Sequence, residues 1–296
     1  MRMERFVAVA VVGGLGLALA GCDRTRETGS GSRASGAAET FPAGTTMARL
    51  NKQQRITIGT KFDQPGFGLK DLSGKPAGFD IEIAKIIARE LGIPVDKIEW
   101  VETPSKVRED YIEQGRVDIV VATYTINDKR KGRIDFAGPY YEAGQNLMVR
   151  SDDSSITGPD SFKDGTRKVC SATGSTSGET IKKYVADPAS QLVLFDTYDK
   201  CRDALHGKQV DAVTTDNVIL LGYVARGEGA FKLAAGDNFT VEPYGIGLKR
   251  GDKAFRAYIN DILDRIYENG EWKRAWDATA GKFGARAGTP PAVHRY

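Results

Sequence analysis

A small set of polar residues in this sequence has the chemistry to bind a charged solute. Arg130 carries a planar guanidinium that can donate two parallel hydrogen bonds to one carboxylate. Asp216 follows an apolar stretch, so we expect its carboxylate to be partly buried and to need a partner. Ser175 and Thr176 stand where a predicted strand gives way to a helix, and backbone amides at such a point form an anion site. The alternatives are a solvated arginine, a structural cap or ion pair, and ordinary N-cap residues.

The elements that position these residues alternate between strand and helix in the first half of the chain. A β-branched strand is predicted over residues 55–59, and a helix with Asp80 as its N-cap follows. A second strand is predicted at 98–100, and a second helix over 107–112. The near-continuous apolar run over 115–123 is typical of a strand buried in a parallel sheet.

The second half of the chain repeats this order of elements. Strands are predicted at 168–171 and 192–195, each followed by a helix, and a third strand ends at Asp216. This alternation predicts two α/β lobes with largely parallel sheets. Ligands of such sheets lie beyond the carboxyl ends of the strands. Two lobes that face each other would therefore bring both sets of polar residues into one cleft.

The composition argues against several classes of protein. The 296 residues include 42 Lys and Arg against 39 Asp and Glu, and no run of Lys and Arg reaches five residues, so we expect no nucleic-acid partner. The hydrophobic fraction of 41% is ordinary for a globular protein and excludes wholesale disorder. The chain has only three cysteines and two histidines, the residues that most often bind zinc. We therefore expect neither a metal nor another cofactor.

The amino terminus has the pattern of a secretory signal. Arg2 and Arg5 precede an apolar stretch over residues 6–20, which is shorter than the ~20 residues needed to span a bilayer. The stretch ends in Leu19-Ala20-Gly21-Cys22, which resembles the lipobox of bacterial lipoproteins, where the cysteine carries a diacylglycerol. The sequence therefore predicts a lipid anchor on Cys22 at the outer face of the cell membrane. An ordinary signal peptide and a short membrane anchor are the alternatives.

Six motifs occur in an order that resembles one known family. They are Gly78-Phe-Asp-Ile-Glu-Ile-Ala-Lys85, Thr123-Tyr-Thr-Ile-Asn-Asp-Lys-Arg130, Asp135-Phe-Ala-Gly-Pro-Tyr-Tyr141, Gly174-Ser-Thr176, Thr215-Asp216 and Tyr244-Gly-Ile-Gly-Leu-Lys249. Together they resemble the polar-amino-acid-binding proteins of ABC importers, family 3 of the bacterial extracellular solute-binding proteins, over residues 52–283. The segment Gly59-Thr-Lys-Phe-Asp-Gln-Pro-Gly66 is most similar to the actinobacterial glutamate-binding lipoproteins.

The resemblance implies a two-lobed α/β fold of the type II periplasmic-binding-protein kind. The chain would cross between the lobes near 140–145 and near 241–246, and two such crossings form a hinge. The predicted organisation is a signal peptide at 1–21, a lipidated cysteine and flexible tether at 22–51, lobe 1 at 52–140 and 246–283, lobe 2 at 145–241, and a flexible tail at 284–296.

The resemblance also implies how the ligand's α-carbon groups are held. Arg130 would bind the α-carboxylate, and Asp216 would bind the ammonium, because an unpaired buried charge is costly. The other implied positions are Thr125 and Thr123, which offer hydroxyl or carbonyl oxygens, and the backbone amides at Ser175 and Thr176. A strand-end threonine without a ligand is the alternative for Thr123.

Selectivity for the ligand's side chain depends on weaker signals. Lys61 follows the first strand and could pair with a γ-carboxylate, with Gln64 nearby. A surface lysine is the alternative. Phe62 or Tyr124 would form a wall of the pocket, unless the aromatic ring belongs to the core.

The two remaining cysteines are predicted to form a disulfide. Cys170 and Cys201 lie in the same predicted lobe, and export exposes thiols to oxidation. The alternative is a pair of buried free thiols.

The sequence thus predicts a monomeric, extracytoplasmic lipoprotein that binds L-glutamate and delivers it to the permease subunits of an ABC importer. Aspartate, glutamine and asparagine are further candidate ligands. An enzyme is one rival, because some periplasmic dehydratases resemble these binding proteins. Against it, His206 and His294 fall outside the predicted cleft. A sensor that presents the bound amino acid to a receptor is the other rival.

Overall fold

A computed structural model of the chain describes residues 40–296. Its helices are α1 (Thr46–Gln53), α2 (Phe79–Glu90), α3 (Arg108–Glu113), α4 (Asp128–Lys131), α5 (Thr176–Ile181), α6 (Pro188–Gln191), α7 (Tyr198–His206), α8 (Asn217–Arg226), α9 (Lys253–Glu268) and α10 (Glu271–Ala278). Its strands are β1 (Ile56–Thr60), β2 (Asp63–Gln64), β3 (Gly68–Lys70), β4 (Pro76–Ala77), β5 (Ile98–Glu102), β6 (Ile119–Val120), β7 (Asp135–Ala143), β8 (Gln145–Arg150), β9 (Val169–Ala172), β10 (Leu192–Phe195), β11 (Ala212–Asp216), β12 (Phe231–Leu233) and β13 (Glu242–Leu248). The predicted signal peptide and the anchor at Cys22 lie outside the described residues.

Two five-stranded sheets form the two lobes. The first sheet has the order β5-β1-β6-β13-β7, and the second has the order β10-β9-β11-β8-β12. In each sheet two strand pairings are parallel and two are antiparallel, so that one strand, β13 in the first sheet and β8 in the second, runs opposite to the other four. The two halves therefore share one plan, as predicted, but the sheets are mixed rather than largely parallel. Strands β7 and β8, which form only antiparallel pairings, are almost entirely buried, so their sequences lack the alternation that marks a half-exposed strand.

The carboxyl ends of the parallel strands face the boundary between the lobes. In the first lobe, polar residues follow the ends of β1, β5 and β6, and in the second lobe they follow β9 and end β11. This is the edge at which open α/β sheets bind ligands.

Two adjacent crossings join the lobes. β7 of the first sheet ends at Ala143, and β8 of the second sheet begins at Gln145. The return crossing leads into β13, whose Glu242 pairs with Ala143. The backbone N–H of Gln145 donates to the Thr240 hydroxyl at 3.0 Å, which ties one crossing to the other. Paired crossings of this kind permit hinge closure.

Parts of the predicted flexible tether and tail are folded. Helix α1 buries Met47 and Leu50 in the core of the first lobe. At the other end of the chain, the His294 N–H donates to the Gly138 carbonyl at 2.8 Å, and the Tyr296 hydroxyl accepts from the Phe136 N–H at 2.9 Å. Composition alone predicts flexibility here, but a few buried side chains and the free backbone groups of edge strand β7 are enough to hold these segments.

The predicted disulfide is confirmed. Cys170 of β9 and Cys201 of α7 are bonded, and they lie 31 residues apart in sequence. A cross-link that closes a loop of this length reduces the conformational entropy of the unfolded chain.

Replacing both cysteines with alanine is expected to lower the free energy of unfolding by about 3 kcal/mol, because the unfolded chain regains that entropy. Urea unfolding of the Cys170→Ala/Cys201→Ala variant beside the wild type measures the loss. Reduced wild-type protein is the control, since it keeps both side chains. A loss below about 1 kcal/mol would contradict the entropic explanation.

Among the described helices, none has both the length and the apolar character that crossing a bilayer requires.

Candidate functional site

A narrow polar cavity lies between the two lobes. It is lined by Gln64, Ser105, Arg108, Thr123, Thr125, Ser175, Thr176, Ser177, Tyr198, Thr215, Asp216 and Ile219. Every residue on this wall except Ile219 carries a polar group, and both lobes contribute. Polar groups of both lobes therefore face each other across this cavity, which is the arrangement that recognises a small polar solute.

Four buried polar atoms on this wall have no hydrogen-bond partner among residues 40–296. They are Asp216 Oδ1, Gln64 Nε2, Arg108 Nε and Thr215 Oγ1. Leaving such a group unpaired costs about 1–3 kcal/mol, and buried polar groups in native proteins are nearly always paired. One carboxylate oxygen and two nitrogen donors together match a solute that carries both a cationic and an anionic group.

Asp216 supplies the negative charge in the cavity. It ends β11, is 4% exposed, and its Oδ2 accepts a hydrogen bond from the Tyr244 hydroxyl at 2.6 Å. Burial and the nearby charge of Glu242 raise the pKa of Asp216 to about 7. A cation at Oδ1 would stabilise the charged carboxylate.

Arg130 lies on α4 at the junction of the lobes. Its Nη1 donates to the Thr125 carbonyl at 2.7 Å, its Nη2 to the Gly174 carbonyl at 3.4 Å, and its Nε pairs with Glu109 at 3.2 Å. Burial and the charge of Arg108 lower the pKa of Arg130. The guanidinium borders an outer cavity that shares part of its wall with the inner one.

A second arginine, which the sequence analysis does not identify, lines the inner cavity. Arg108 is 2% exposed, and its Nη1 donates to the Ala122 carbonyl at 2.8 Å. Its guanidinium carbon lies 4.0 Å from the ring centroid of Tyr124, and that of Arg130 lies 4.9 Å from the same ring. Cation–π contacts of this kind are attractive. The Tyr124 ring therefore packs against both guanidinium groups and is not part of the cavity wall.

Lys61 lies one layer behind the cavity wall. Its Nζ donates to the Ser105 hydroxyl at 2.9 Å, and its side chain is buried. Burial and the charge of Arg108 lower the pKa of Lys61 to about 7. Phe62 is the other aromatic residue considered for the wall. Its ring instead packs against Lys70, whose ammonium nitrogen lies 4.8 Å from the ring centroid. Lys61 thus influences the cavity through Ser105.

The loop after β6 is held by a buried carboxylate. Thr123 has a left-handed φ of 45°, and its N–H donates to Asp80 Oδ2 at 2.9 Å. The Thr123 hydroxyl donates to Gln64 Oε1 at 3.0 Å, and Asp80 Oδ1 accepts from the Tyr140 hydroxyl at 2.6 Å. The prediction that Asp80 caps α2 is wrong, because the N-cap is Gly78 and the carboxylate turns to the Thr123 loop instead.

Hydroxyl groups connect the lobes at the mouth of the cavity. The Ser175 hydroxyl accepts from the Gly178 N–H at 2.9 Å, so it performs the N-cap role considered as an alternative. The Thr176 hydroxyl lies 3.5 Å from that of Thr125 in the first lobe and donates to Glu242 at 3.0 Å.

The structure brings most of the predicted site residues together. The inner cavity is lined by Asp216, Thr123, Thr125, Ser175, Thr176 and Gln64, whereas Arg130 borders the outer cavity and Lys61 and Tyr124 lie behind the wall. The residues that sequence reasoning missed are Ser105, Arg108, Ser177, Tyr198, Thr215 and Ile219. Arg108 lies shortly after the carboxyl end of β5, and this position is the one feature of the sequence that could indicate a place in the cavity wall. A charged residue near a helix start more commonly indicates a solvated face.

Residues 56–278 match the family model of the bacterial extracellular solute-binding proteins, family 3. The chain belongs to this family. The predicted family and its two-lobed fold are therefore confirmed.

Relatives within family 3 are named for the amino acids they bind. Glutamate-binding protein GluB of Corynebacterium efficiens is 39% identical over 245 residues, which are 79% of this chain and 82% of that protein. ABC transporter glutamine-binding protein GlnH of Bacillus subtilis is 37% identical, over 77% of this chain and 81% of that protein. Among solved structures, an ancestral arginine-binding protein bound to glutamine is 33% identical, has a TM-score of 0.70, and covers 76% of this chain and 97% of its own.

The ligand-free family 3 protein is expected to lose stability as the pH rises from about 5 to about 7.5. Burial raises the pKa values of Asp216 and Asp80 from 3.8 to about 7. Within that window the folded state binds more protons than the unfolded state, so the free energy of unfolding falls with rising pH. Lys61 acts in the opposite direction, but only above pH 7, because its pKa lies between about 7 and 10.5 in the two states.

Asp216→Asn removes one of the two raised pKa values and is expected to reduce this pH-dependent loss by on the order of 2 kcal/mol. Urea unfolding of wild type and variant at the two pH values, after removal of bound ligand, measures the difference. Equal losses in the two proteins would contradict the burial of a titrating carboxylate at this position.

Proposed function

We propose that this protein is the substrate-binding lipoprotein of an ABC importer and that it binds L-glutamate between its lobes. The observation that carries the proposal is the set of unpartnered buried atoms at the cavity: Asp216 Oδ1 in the second lobe, and Gln64 Nε2 and Arg108 Nε in the first. A ligand that satisfies all three must touch both lobes at once.

The α-carbon groups of an amino acid fit the junction of the lobes. The ammonium would bind Asp216 Oδ1, which needs a cationic partner. The α-carboxylate would lie toward Arg130, with the hydroxyls of Thr125 and Thr176 and the backbone at Ser175 around it. The ammonium would thus pair with Asp216 of the second lobe, and the α-carboxylate would pair with Arg130 of the first lobe.

The charges in the first lobe favour an acidic side chain. Arg108 lines the cavity, and Lys61 donates to the Ser105 hydroxyl on the same wall. A γ-carboxylate would pair with Arg108, whereas the neutral amide of glutamine would leave the buried guanidinium without a counter-charge. The similarity to a glutamate-binding protein supports this choice. Aspartate, glutamine and asparagine would bind less tightly.

Closure would couple binding to delivery. Because the ligand contacts both lobes, it binds the closed state better and shifts the population toward that state. The permease subunits of the importer would then recognise the closed protein. Acylation of Cys22 would hold a monomer at the outer face of the membrane, within reach of the permease.

Uptake of labelled L-glutamate by cells that lack this gene tests the importer role. We expect most of the uptake to disappear and to return with the wild-type gene. A Cys22→Ala gene should restore less uptake, because the protein is no longer anchored. Unchanged uptake in the deletion strain, together with intact glutamate binding by the purified protein, would refute the importer role and favour the sensor.

A further inference from the structure

Segment 61–66 of the first lobe extends to two helices of the second lobe. The Asp63 Oδ2 accepts a hydrogen bond at 2.8 Å from the backbone N–H of Tyr198, the first residue of α7. The Asp63 carbonyl accepts a second one at 2.6 Å from the Tyr223 hydroxyl of α8. Asp63 is 6% exposed. A buried carboxylate at the positive end of a nine-residue helix makes a strong, charge-assisted contact.

The backbones of the two lobes also approach closely at this place. A Cβ atom added to Gly222 of α8 would lie 2.4 Å from the carbonyl oxygen of Pro65. No side chain fits in that space without moving the two lobes apart. The absence of a side chain at Gly222 therefore lets segment 61–66 lie against α8.

The charge of Asp63 is partly balanced from within its own segment. Burial raises the pKa of Asp63, and the positive charge of Lys61 opposes that shift. Lys61 in turn donates to Ser105 on the cavity wall, whereas Asp63 is not part of that wall. One short segment thus holds both a group behind the cavity and the contact with the opposite lobe.

We propose that Asp63 is a positioning residue that fastens the closed cleft by joining segment 61–66 to α7 and α8, without contacting the ligand. This inference rests on the proposed function, because fastening matters to a protein that captures a solute by closure. Because Asp63 and the two helices belong to different lobes, opening of the cleft would pull them apart, and loss of the contact lets the lobes reopen sooner. The effect therefore falls on ligand dissociation rather than on association.

Stopped-flow fluorescence of the mature protein with L-glutamate measures both rate constants. Asp63→Ala is expected to raise the dissociation rate constant about ten- to a hundredfold and to change the association rate constant less than about threefold. Gly222→Ala should raise the dissociation rate constant too, because its added methyl group meets the Pro65 carbonyl and opposes closure, whereas Asp63 and every side chain of the cavity wall are kept. Alanine has a higher helix propensity than glycine, so Gly222→Ala is expected to keep α8 folded. It therefore tests the proposal even if Asp63→Ala fails to fold.

Asp71→Ala is the matched control. Asp71 lies in the turn between β3 and β4, is exposed, and bonds to Ser73 rather than to the second lobe. Its rate constants should equal those of the wild type. Wild-type dissociation rates in both Asp63→Ala and Gly222→Ala would overturn the proposal.

Amide exchange at Tyr198 separates this inference from the proposed function. An N–H in the first turn of a helix has no acceptor within the helix, so Asp63 protects it only while the lobes are joined. We expect slow exchange in the wild type and fast exchange in Asp63→Ala. If the wild type binds no glutamate and this difference is still seen, the proposed function fails and the fastening stands. Equal exchange in both proteins refutes the fastening.

Discussion

Replacing Asp216 with asparagine is expected to weaken L-glutamate binding by at least about a hundredfold, because breaking a buried ion pair costs about 3–5 kcal/mol. The asparagine oxygen can still accept the Tyr244 hydroxyl, so the local fold is retained. Its amide group would then face the ligand's ammonium where Asp216 Oδ1 now has no partner among the described side chains. Two donors would oppose each other in a buried site.

Calorimetric titration of Asp216→Asn beside the wild type measures this loss. Asp211→Asn is the matched control, since Asp211 precedes the same strand but bonds to the Lys168 backbone far from the cavity. It should bind glutamate as the wild type does. Binding by Asp216→Asn within about fivefold of wild type would show that the ammonium lies elsewhere.

Replacing Arg108 with methionine is expected to reverse the preference between glutamate and glutamine. Glutamate affinity should fall by about a hundredfold, because its γ-carboxylate loses a buried counter-charge, whereas glutamine affinity should change by less than about fivefold. Methionine is long and unbranched, so it keeps much of the packing against Tyr124. Lys61→Met should have a smaller effect in the same direction, since Lys61 acts through Ser105.

Titrations of both amino acids into each variant provide the comparison. Arg116→Met is the matched control, because Arg116 also stacks on a tyrosine of the first lobe, Tyr111 at 3.8 Å, but on the outer surface. An equal loss of both ligands in Arg108→Met would place Arg108 at the α-carboxylate and remove the basis for glutamate selectivity.

The predictable part of the site follows a local rule. Thr123, Ser175 and Asp216 come just after or at the carboxyl ends of apolar strands, and repeated strand–helix order predicts that such ends meet in one cleft. The two-lobed fold and half of the cavity wall can therefore be predicted from the sequence without any knowledge of contacts.

The roles of the cationic and aromatic residues depend on packing that is distant in sequence. Arg108 is buried because it stacks on Tyr124, which follows a different strand, and no spacing rule reveals that pair. The Lys61 side chain ends at the Ser105 hydroxyl, which lies 44 residues away in sequence, and does not reach the cavity. Helix α1 is likewise held by its contacts with the first core rather than by its composition. Local patterns thus predict where polar groups emerge, but tertiary packing decides which of them face the ligand.

Calorimetric titration of the mature wild-type protein tests the central claim most directly. The protein is first freed of bound solute by unfolding and refolding, and then titrated with L-glutamate, L-aspartate, L-glutamine and L-asparagine. We predict one molecule of glutamate per chain, bound more tightly than the other three. Folded protein that binds none of the four amino acids, or that binds glutamine more tightly than glutamate, would contradict the assignment of this cavity.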